Sequence, residues 1–93
     1  MRKIEREMVK ALRDGHAWQS GNTSVTAPDH TGRAQVYLHG NHIADWRDGQ
    51  AVPNLGTLAR WPTTTTKSRL RALGVSIYQQ KGRVYVNDVV VAP

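Results

Sequence analysis

The chain has 93 residues and no cysteine, and its formal net charge at pH 7 is +6. This length predicts one small domain over residues 1–93, and the absence of cysteine excludes disulfides and thiolate metal sites and favours a reducing compartment. No apolar run approaches the roughly 20 residues of a membrane span, and the charged first residues are unlike a secretory signal, so we expect no membrane association.

The positive charge is concentrated in one part of the chain. Residues 59–83 contain six lysines and arginines, and no acidic residue lies between Gly49 and Asn87. Such a basic block favours polyanionic partners, chiefly nucleic acid, but it also increases solubility without any partner. The charge pattern leaves both interpretations open.

An amphipathic helix is predicted for residues 2–14. Its apolar residues recur at helical spacing and are Ile4, Met8, Ala11 and Leu12. Gly15 is suited to end the helix. The other face mixes basic and acidic residues, which is typical of a solvated surface.

A strand at 22–27 and a turn at 28–32 are predicted to precede a hairpin in AQVYLHGNHIADW. Gly40-Asn41 is interpreted as its two-residue turn, which pairs His39 with His42. This register places Val36, Leu38 and Ile43 on one face and Tyr37, Ala44 and Trp46 on the other. Apolar groups on both faces predict a central hairpin.

The segment GNHIADWRDGQAVPNLGTL is similar to the motif of HNH-type nucleases, in which a strand histidine precedes an Asn-Leu pair and a later metal-binding histidine. His42 and Asn54-Leu55 match the first two parts. However, Asn41 occupies a position that requires His or Asp, and no histidine follows residue 42. Asp45 is expected to point to the other side of its strand, away from the histidine. We therefore predict no enzyme activity, metal, cofactor or small-molecule substrate.

Residues 48–54 have the composition of a turn, and residues 55–61 are predicted to form a short strand. A helix is predicted within the next segment, WPTTTTKSRLRALG, residues 61–74. Trp61 precedes a proline, which disfavours helical backbone, so the helix should begin after it.

Both ends of this second helix carry capping signals. Thr63 or Thr64 is a good N-cap, and Gly74 suits the C-terminal cap. Leu70 and Leu73 are expected to face the core.

The same helix carries groups that suit phosphate. Its N-terminus offers threonine hydroxyls and free backbone N–H groups at the positive end of the helix dipole. Lys67 and Arg71 share a side of the helix, whereas Arg69 points elsewhere. Alternatively, one threonine caps the helix and the basic side chains are only hydrated.

Two tight hairpin turns are predicted near the end of the chain. Lys81-Gly82 forms the first turn, and Asn87-Asp88 leads into a final strand, 89–92. The core face of the first hairpin is expected to carry Val75, Ile77, Val84 and Val86.

The opposite face of that hairpin pairs Tyr78 with Tyr85. Together with Lys81 and Arg83, these rings form a candidate surface for base stacking and phosphate contact. A cross-strand tyrosine pair also stabilises a hairpin without any ligand.

These elements predict an α+β fold: an antiparallel sheet of about five to six short strands with an N-terminal helix and one short internal helix. TTTTKSRLRALG followed by QQKGRVYV resembles the recognition helix and wing of a winged helix-turn-helix protein. The helix that should precede the turn is not predicted, because AVPNLGTLARWP contains two prolines and a glycine. The fold is therefore not assigned to that class.

Three motifs occur in order over roughly residues 20–87: VYLHGNHIADW, WPTTTTKSRLRALG and QQKGRVYVND. In these the chain resembles a family of small tailed-bacteriophage proteins with a Leu-His-Gly-Asn strand-turn, a threonine-rich Thr-Lys-Ser-Arg-Leu helix and a Lys-Gly hairpin. Arg71 departs from the family, which tends to have asparagine there, and the N-terminal helix lies outside the motifs. The resemblance implies a phage origin and the cytoplasm of the infected bacterial host, but no mechanism.

We therefore predict a non-enzymatic, phage-encoded protein that binds DNA or RNA through residues 59–83. The predicted phosphate contacts are Lys67, Arg69, Arg71, Lys81 and Arg83, and the predicted stacking residues are Tyr78 and Tyr85. The alternative is a small phage protein that binds and inhibits or redirects a host protein, with the same surface meeting an acidic partner.

Overall fold

A computed structural model describes residues 1–92 and confirms the predicted α+β fold class. In chain order its elements are α1 (Lys3–Asp14), β1 (Trp18–Ser20), β2 (Thr23–Val25), β3 (Ala34–Leu38), β4 (Asn41–Arg47), β5 (Gln50–Pro53), α2 (Leu55–Arg60), α3 (Thr64–Ala72), β6 (Ile77–Gln80), β7 (Arg83–Val86) and β8 (Val89–Ala92). The strands form two antiparallel sheets rather than one, with five strands in the order β1 to β5 and three in the order β6 to β8. None of the helices within residues 1–92 is long and apolar enough to cross a membrane.

Helix α1 begins one residue later than predicted and ends as predicted. Gly15 adopts a positive φ of 74° at its C-terminal cap, a conformation that glycine enters without a Cβ clash. Met8 and Leu12 are buried against the sheet. The apolar stripe read from the sequence is therefore the face that packs on the core.

The β3–β4 turn lies one residue earlier than predicted. His39 and Gly40 occupy it, with φ values of 51° and 77°, so that Leu38 lies opposite Asn41. The predicted pairing of the two histidines is therefore wrong, and the partner of His42 is Tyr37.

A β-bulge in β4 also changes which residues face the core. The register shifts beside Val36, and Ile43 is the additional residue on β4. Because a bulge interrupts the alternation of faces, Ile43 and Ala44 are both buried, and so is Trp46. The prediction that Ala44 and Trp46 lie on the face opposite Ile43 was wrong.

Residues 48–61 form a strand and a helix, where the sequence predicted a turn and a strand. An Asp48-Gly49 turn leads into β5, an edge strand where Pro53 removes no necessary ladder hydrogen bond. Asn54 then caps α2, since its Oδ1 accepts a hydrogen bond from the Thr57 amide at 3.1 Å. This cap, together with the proline after Trp61, gives the helix defined ends. Strand β1 was also not predicted.

The C-terminal half follows the prediction closely. Thr63 caps α3, with its Oγ1 accepting from the Thr66 amide at 3.1 Å, and Leu70 and Leu73 are buried. The β6–β7 hairpin turns at Lys81-Gly82, whose φ values of 52° and 76° are those of a type I′ turn. The second turn, at Asn87-Asp88, leads into β8 as predicted.

Buried side chains from α1, α2, α3 and both sheets form one contiguous hydrophobic cluster. The predicted core residues of the C-terminal hairpin belong to it and are Val75, Ile77, Val84 and Val86. Helix α3 is thus fixed between α1 and the three-stranded sheet, with one side exposed.

Candidate nucleic-acid interface

Arg69 lies inside the protein rather than on the predicted surface. Its side chain is 4% exposed, and Nη1 lies 2.8 Å from Oε2 of Glu5. Its Nε donates to Oγ1 of Thr23 at 3.0 Å. Because the guanidinium has a carboxylate and a hydroxyl as internal partners, Arg69 does not belong with the exposed cations.

The Glu5 carboxylate is held in its ionised form by this network. Burial raises the pKa of Glu5, but hydrogen bonds from Ser68, Arg69 and the Arg2 amide, together with the charge of Arg69, outweigh it and leave the pKa below its ordinary value. The Ser68 hydroxyl donates to Oε2 at 2.6 Å. The network therefore ties α1 to α3 and fixes which side of α3 faces outward.

The other two basic residues of α3 lie beside β6. Nζ of Lys67 is 3.5 Å from Oε1 of Gln79, and Nε of Arg71 donates to the carbonyl of Ile77 at 3.1 Å. Strand β6 is an edge of the three-stranded sheet, so Arg71 satisfies a carbonyl at that edge. The Nη1 and Nη2 groups of Arg71 make no hydrogen bond with any of the residues described by the structure.

Strand β6 leads directly to the other predicted cations. Lys81 is exposed in the hairpin turn, and Arg83 is exposed opposite Gln80. Helix α3 contacts β6, and β6 leads through the turn at Lys81 to Arg83, so the helix cations and the hairpin cations lie on neighbouring elements. We call this the α3–hairpin surface, defined by Lys67, Arg71, Lys81 and Arg83.

No carboxylate within residues 1–92 neutralises the α3–hairpin surface. Within residues 1–92, six of the seven acidic side chains lie within 4.0 Å of a basic group, in the pairs Glu5–Arg69, Glu7–Lys3, Asp14–Lys10, Asp29–Arg33, Asp45–His42 and Asp48–Arg47. The seventh, Asp88, accepts a hydrogen bond from Tyr78. None of the four cations of the surface has a carboxylate partner within residues 1–92, so their charge is available to an external anion.

The two predicted stacking residues stack on each other. The ring centroids of Tyr78 and Tyr85 are 4.9 Å apart, with 6° between the planes. The Tyr78 hydroxyl donates to Oδ1 of Asp88 at 2.9 Å, and this hydrogen bond is the main reason why the pKa of Tyr78 is raised. One face of each ring is therefore covered, and a base would have access only to an outward face.

His42 makes contacts that the sequence did not predict. Its Nε2 lies 2.8 Å from Oδ1 of Asp45, and its Nδ1 lies 3.0 Å from Nδ2 of Asn54. The prediction that Asp45 points away from the histidine was wrong, because the bulge at Ile43 brings positions 42 and 45 to the same face.

The neighbours of His42 determine which ring nitrogen carries the proton in its neutral form. Oδ1 of Asn54 accepts from the Thr57 amide, so its NH₂ group must face the ring and donate to Nδ1. The proton of neutral His42 then lies on Nε2 and is donated to Asp45. Both nitrogens have protein partners, and residues 1–92 contain no group of three His, Asp or Glu side chains suited to a metal ion.

Sequence reasoning missed two residues of this region. Glu5 is 64 positions from Arg69, and no local motif links them. Thr57 was placed in a predicted strand but lies buried on α2. The Asn54 N-cap three positions earlier was the available signal for that helix.

Comparison with known proteins identifies a protein family. The family model described as Kyanoviridae Gp96 protein matches residues 1–92. No curated protein and no solved structure matches the chain. The family match includes helix α1, which lay outside the sequence motifs noted above, as well as the α3–hairpin surface.

Proposed function

Since the chain belongs to the Kyanoviridae Gp96 family and is thus a phage protein, we propose that it is a non-enzymatic nucleic-acid-binding protein of the infected host's cytoplasm. The observation that carries this proposal is the α3–hairpin surface, which has four cations and no carboxylate partner among the described residues. Lys67, Arg71, Lys81 and Arg83 are the proposed phosphate contacts.

The physical basis of binding is the release of counterions from the nucleic acid. Each lysine or arginine that neutralises a phosphate displaces condensed cations, so the logarithm of the affinity falls linearly with that of the salt concentration. Four contacts to duplex DNA correspond to a slope of about −3.6. Phosphate contacts alone carry no sequence information, so the proposed binding is largely independent of sequence.

The order of elements supports this proposal. Helix α2, a three-residue connection, helix α3 and the β6–β7 hairpin follow one another as the two helices and the wing of a winged helix-turn-helix protein do. The first of those helices was not predicted from the sequence, and α2 occupies its place. Helix α3 carries Thr64, Lys67 and Arg71 at three- and four-residue spacing along one side, where Thr64 and Arg71 are exposed and Lys67 is half-buried.

The tyrosine pair has a narrower proposed role. Tyr78 and Tyr85 brace the hairpin that carries Lys81 and Arg83, and only their outward ring faces are offered to a base. This arrangement favours contact with the phosphate backbone over intercalation between bases.

A host protein is the second candidate partner. Apolar side chains are exposed on β5, α2 and β8, with Val52 at 64%, Leu55 at 44% and Val89 at 61%. Exposed apolar groups on a protein with a net positive charge suit a partner whose own surface is acidic. In this proposal the chain inhibits or redirects that protein. A stoichiometric host protein that survives nuclease treatment in a pull-down would favour it.

Fluorescence anisotropy with labelled single-stranded DNA, duplex DNA and RNA tests the leading proposal. The chain should bind at about 50 mM salt and lose most of its affinity by about 200 mM. The variant Lys67→Ala/Arg71→Ala/Lys81→Ala/Arg83→Ala should lose most of the binding at low salt.

A matched control removes the same charge from cations that already have carboxylate partners. In Lys3→Ala/Lys10→Ala/Arg33→Ala/Arg47→Ala the net charge also falls by four, but the α3–hairpin surface is intact. This control should retain most of the binding. Equal loss in both variants, or no binding of the unmodified chain at low salt, would contradict the proposal.

A further inference from the structure

A cleft of about 240 Å³ lies between the β3–β4 turn, helix α2 and the N-terminus of helix α3. Four of its nine lining residues are threonines: Thr57, Thr63, Thr65 and Thr66. Trp61 and Asn41 contribute an indole ring and an amide, and none of the described residues that line the cleft is acidic. The walls are thus rich in hydrogen-bonding groups and carry no negative charge.

Among these threonines, Thr57 combines burial with a hydroxyl that has no hydrogen-bond partner among the described residues. The residue is only 4% exposed, and its hydroxyl makes no hydrogen bond with another residue in the described part of the chain. Every fully buried polar side-chain atom of the described residues does have a partner. The Thr57 hydroxyl is therefore not fully buried, and we infer that it faces the cleft that Thr57 lines. By contrast, the hydroxyls of Thr63 and Thr66 are 2.8 Å apart and bond to each other.

The N-terminus of α3 adds an unpaired donor at the cleft. The Thr66 amide donates to the Oγ1 of the N-cap Thr63, whereas the amides of the two preceding residues, Thr64 and Thr65, have no helical acceptor, and Thr65 lines the cleft. Helix α3 has nine residues, and its aligned peptide dipoles make this end positive. Backbone N–H groups at a helix N-terminus are a common binding element for phosphate.

We propose that this cleft binds the phosphoryl group of a phosphomonoester. The amide and hydroxyl of Thr65 and the hydroxyl of Thr57 donate to the phosphoryl oxygens. Trp61, 48% exposed, lies at the cleft for contact with an attached sugar or base. The volume is below the roughly 300 Å³ at which sites for drug-sized ligands begin, so it suits a phosphate with part of its substituent.

This site uses none of the residues that define the α3–hairpin surface. Lys67, Arg71, Lys81 and Arg83 do not line the cleft. The quadruple alanine variant of that surface should therefore retain phosphate binding in the cleft, and the two proposals succeed or fail separately.

Titration of isotope-labelled protein, followed by amide NMR signals at constant ionic strength and about pH 7.5, tests the site. Inorganic phosphate should produce a saturable shift of the Thr65 amide. Thr57→Val removes the hydroxyl with little change of shape and should weaken binding about tenfold or more. Absence of saturable shifts up to about 50 mM phosphate, far above the Kd of a specific site, would overturn the proposal.

Two further variants keep the test independent of whether Thr57→Val folds well. Thr65→Val removes the hydroxyl of a half-buried threonine that lines the cleft and should also weaken binding. Thr64→Val is the matched control: it removes the hydroxyl of an exposed threonine that does not line the cleft, so binding should be unchanged. Equal affinity in all three variants would overturn the assignment of the cleft.

The source of the phosphoryl group is distinguished by comparing inorganic phosphate with a nucleoside 5′-monophosphate. Tighter binding of the nucleotide, with shifts of the Trp61 indole signal, identifies a nucleotide or a nucleic-acid end as the ligand. Equal affinity with no indole shift identifies free phosphate. Both results support the proposed chemistry, whereas binding of neither ligand contradicts it.

Discussion

Glu5 on the first helix and Arg69 on the third form a buried ion pair that joins two segments 64 positions apart in the chain. Both side chains are 4% exposed, and their charged atoms are 2.8 Å apart. Ser68, the Arg2 amide and Thr23 complete the hydrogen bonding of the pair. The pair sets the rotation of α3 about its axis, so that Arg71 is exposed and Lys67 lies half-buried beside β6.

Removing one member of this pair should strongly destabilise the fold. Glu5→Gln leaves the Arg69 charge buried without its counterion, and the free energy of unfolding should fall by about 3–5 kcal/mol. Urea denaturation measures the change. The control is Glu7→Gln, which breaks the exposed pair with Lys3 and should change stability by less than about 1 kcal/mol. Similar small effects in both variants would show that the buried pair does not hold the helices together.

The same carboxylate should make stability depend on pH in the acid range. The pKa of Glu5 is lower in the folded protein than its ordinary value of 4.5, so the folded state binds this proton less readily than the unfolded chain does. The stabilisation is fully present above pH 4.5 and is lost as the pH falls through the lower folded-state pKa. The stability difference between the unmodified protein and Glu5→Gln should therefore shrink below pH 4.5. Urea midpoints measured between neutral and acid pH provide the check, and a constant difference would contradict it.

Local sequence patterns were sufficient to predict the pairing register of the β6–β7 hairpin but not that of β4. Lys81-Gly82 is a short turn between strands of alternating character, so the turn fixed the register and the pairing of Tyr78 with Tyr85. Before β4, the turn predicted at Gly40-Asn41 lies one residue too late in the chain. The alternation of apolar and polar residues also gave no sign that Ile43 is an extra residue in the strand. A bulge is specified by packing on both sides of a strand, which single-sequence periodicity does not contain.

In the candidate site, too, the sequence predicted only those features that depend on local spacing. That Lys67 and Arg71 share a side of α3 could be inferred from their spacing, whereas the burial of Arg69 depends on Glu5, in a distant segment. Helix α2 was missed because six residues are too few to show a helical period, although its Asn54 cap was visible. Non-local partners and short elements are therefore the parts that required the structure.

Arg69 and Arg71 should behave differently in a binding experiment. Arg71→Met removes an exposed cation of the α3–hairpin surface and should reduce the salt slope of nucleic-acid binding by about 1. Arg69→Met removes a buried cation, so it should lower stability while leaving the salt slope of the folded protein unchanged. Anisotropy titrations at several salt concentrations, at a temperature where both variants are folded, make the comparison. An equal loss of slope in both would place Arg69 among the phosphate contacts after all.

Lys81 allows binding and stability to be changed in opposite directions. It has a φ of 52° in the hairpin turn, a conformation in which asparagine is favoured over other non-glycine residues. Lys81→Asn should raise the free energy of unfolding by up to about 1 kcal/mol. Because it also removes a proposed phosphate contact, it should reduce the salt slope by about 1.

The matched variant is Lys81→Ala, which removes the same charge without favouring the turn. It should show the same reduced salt slope but no increase in stability, because alanine has no preference for positive φ. Thermal unfolding and anisotropy titration of the two variants separate the two effects. A stabilised Lys81→Asn protein that binds nucleic acid with an unchanged slope would remove the hairpin turn from the proposed interface and leave Lys67 and Arg71 of α3 as its centre.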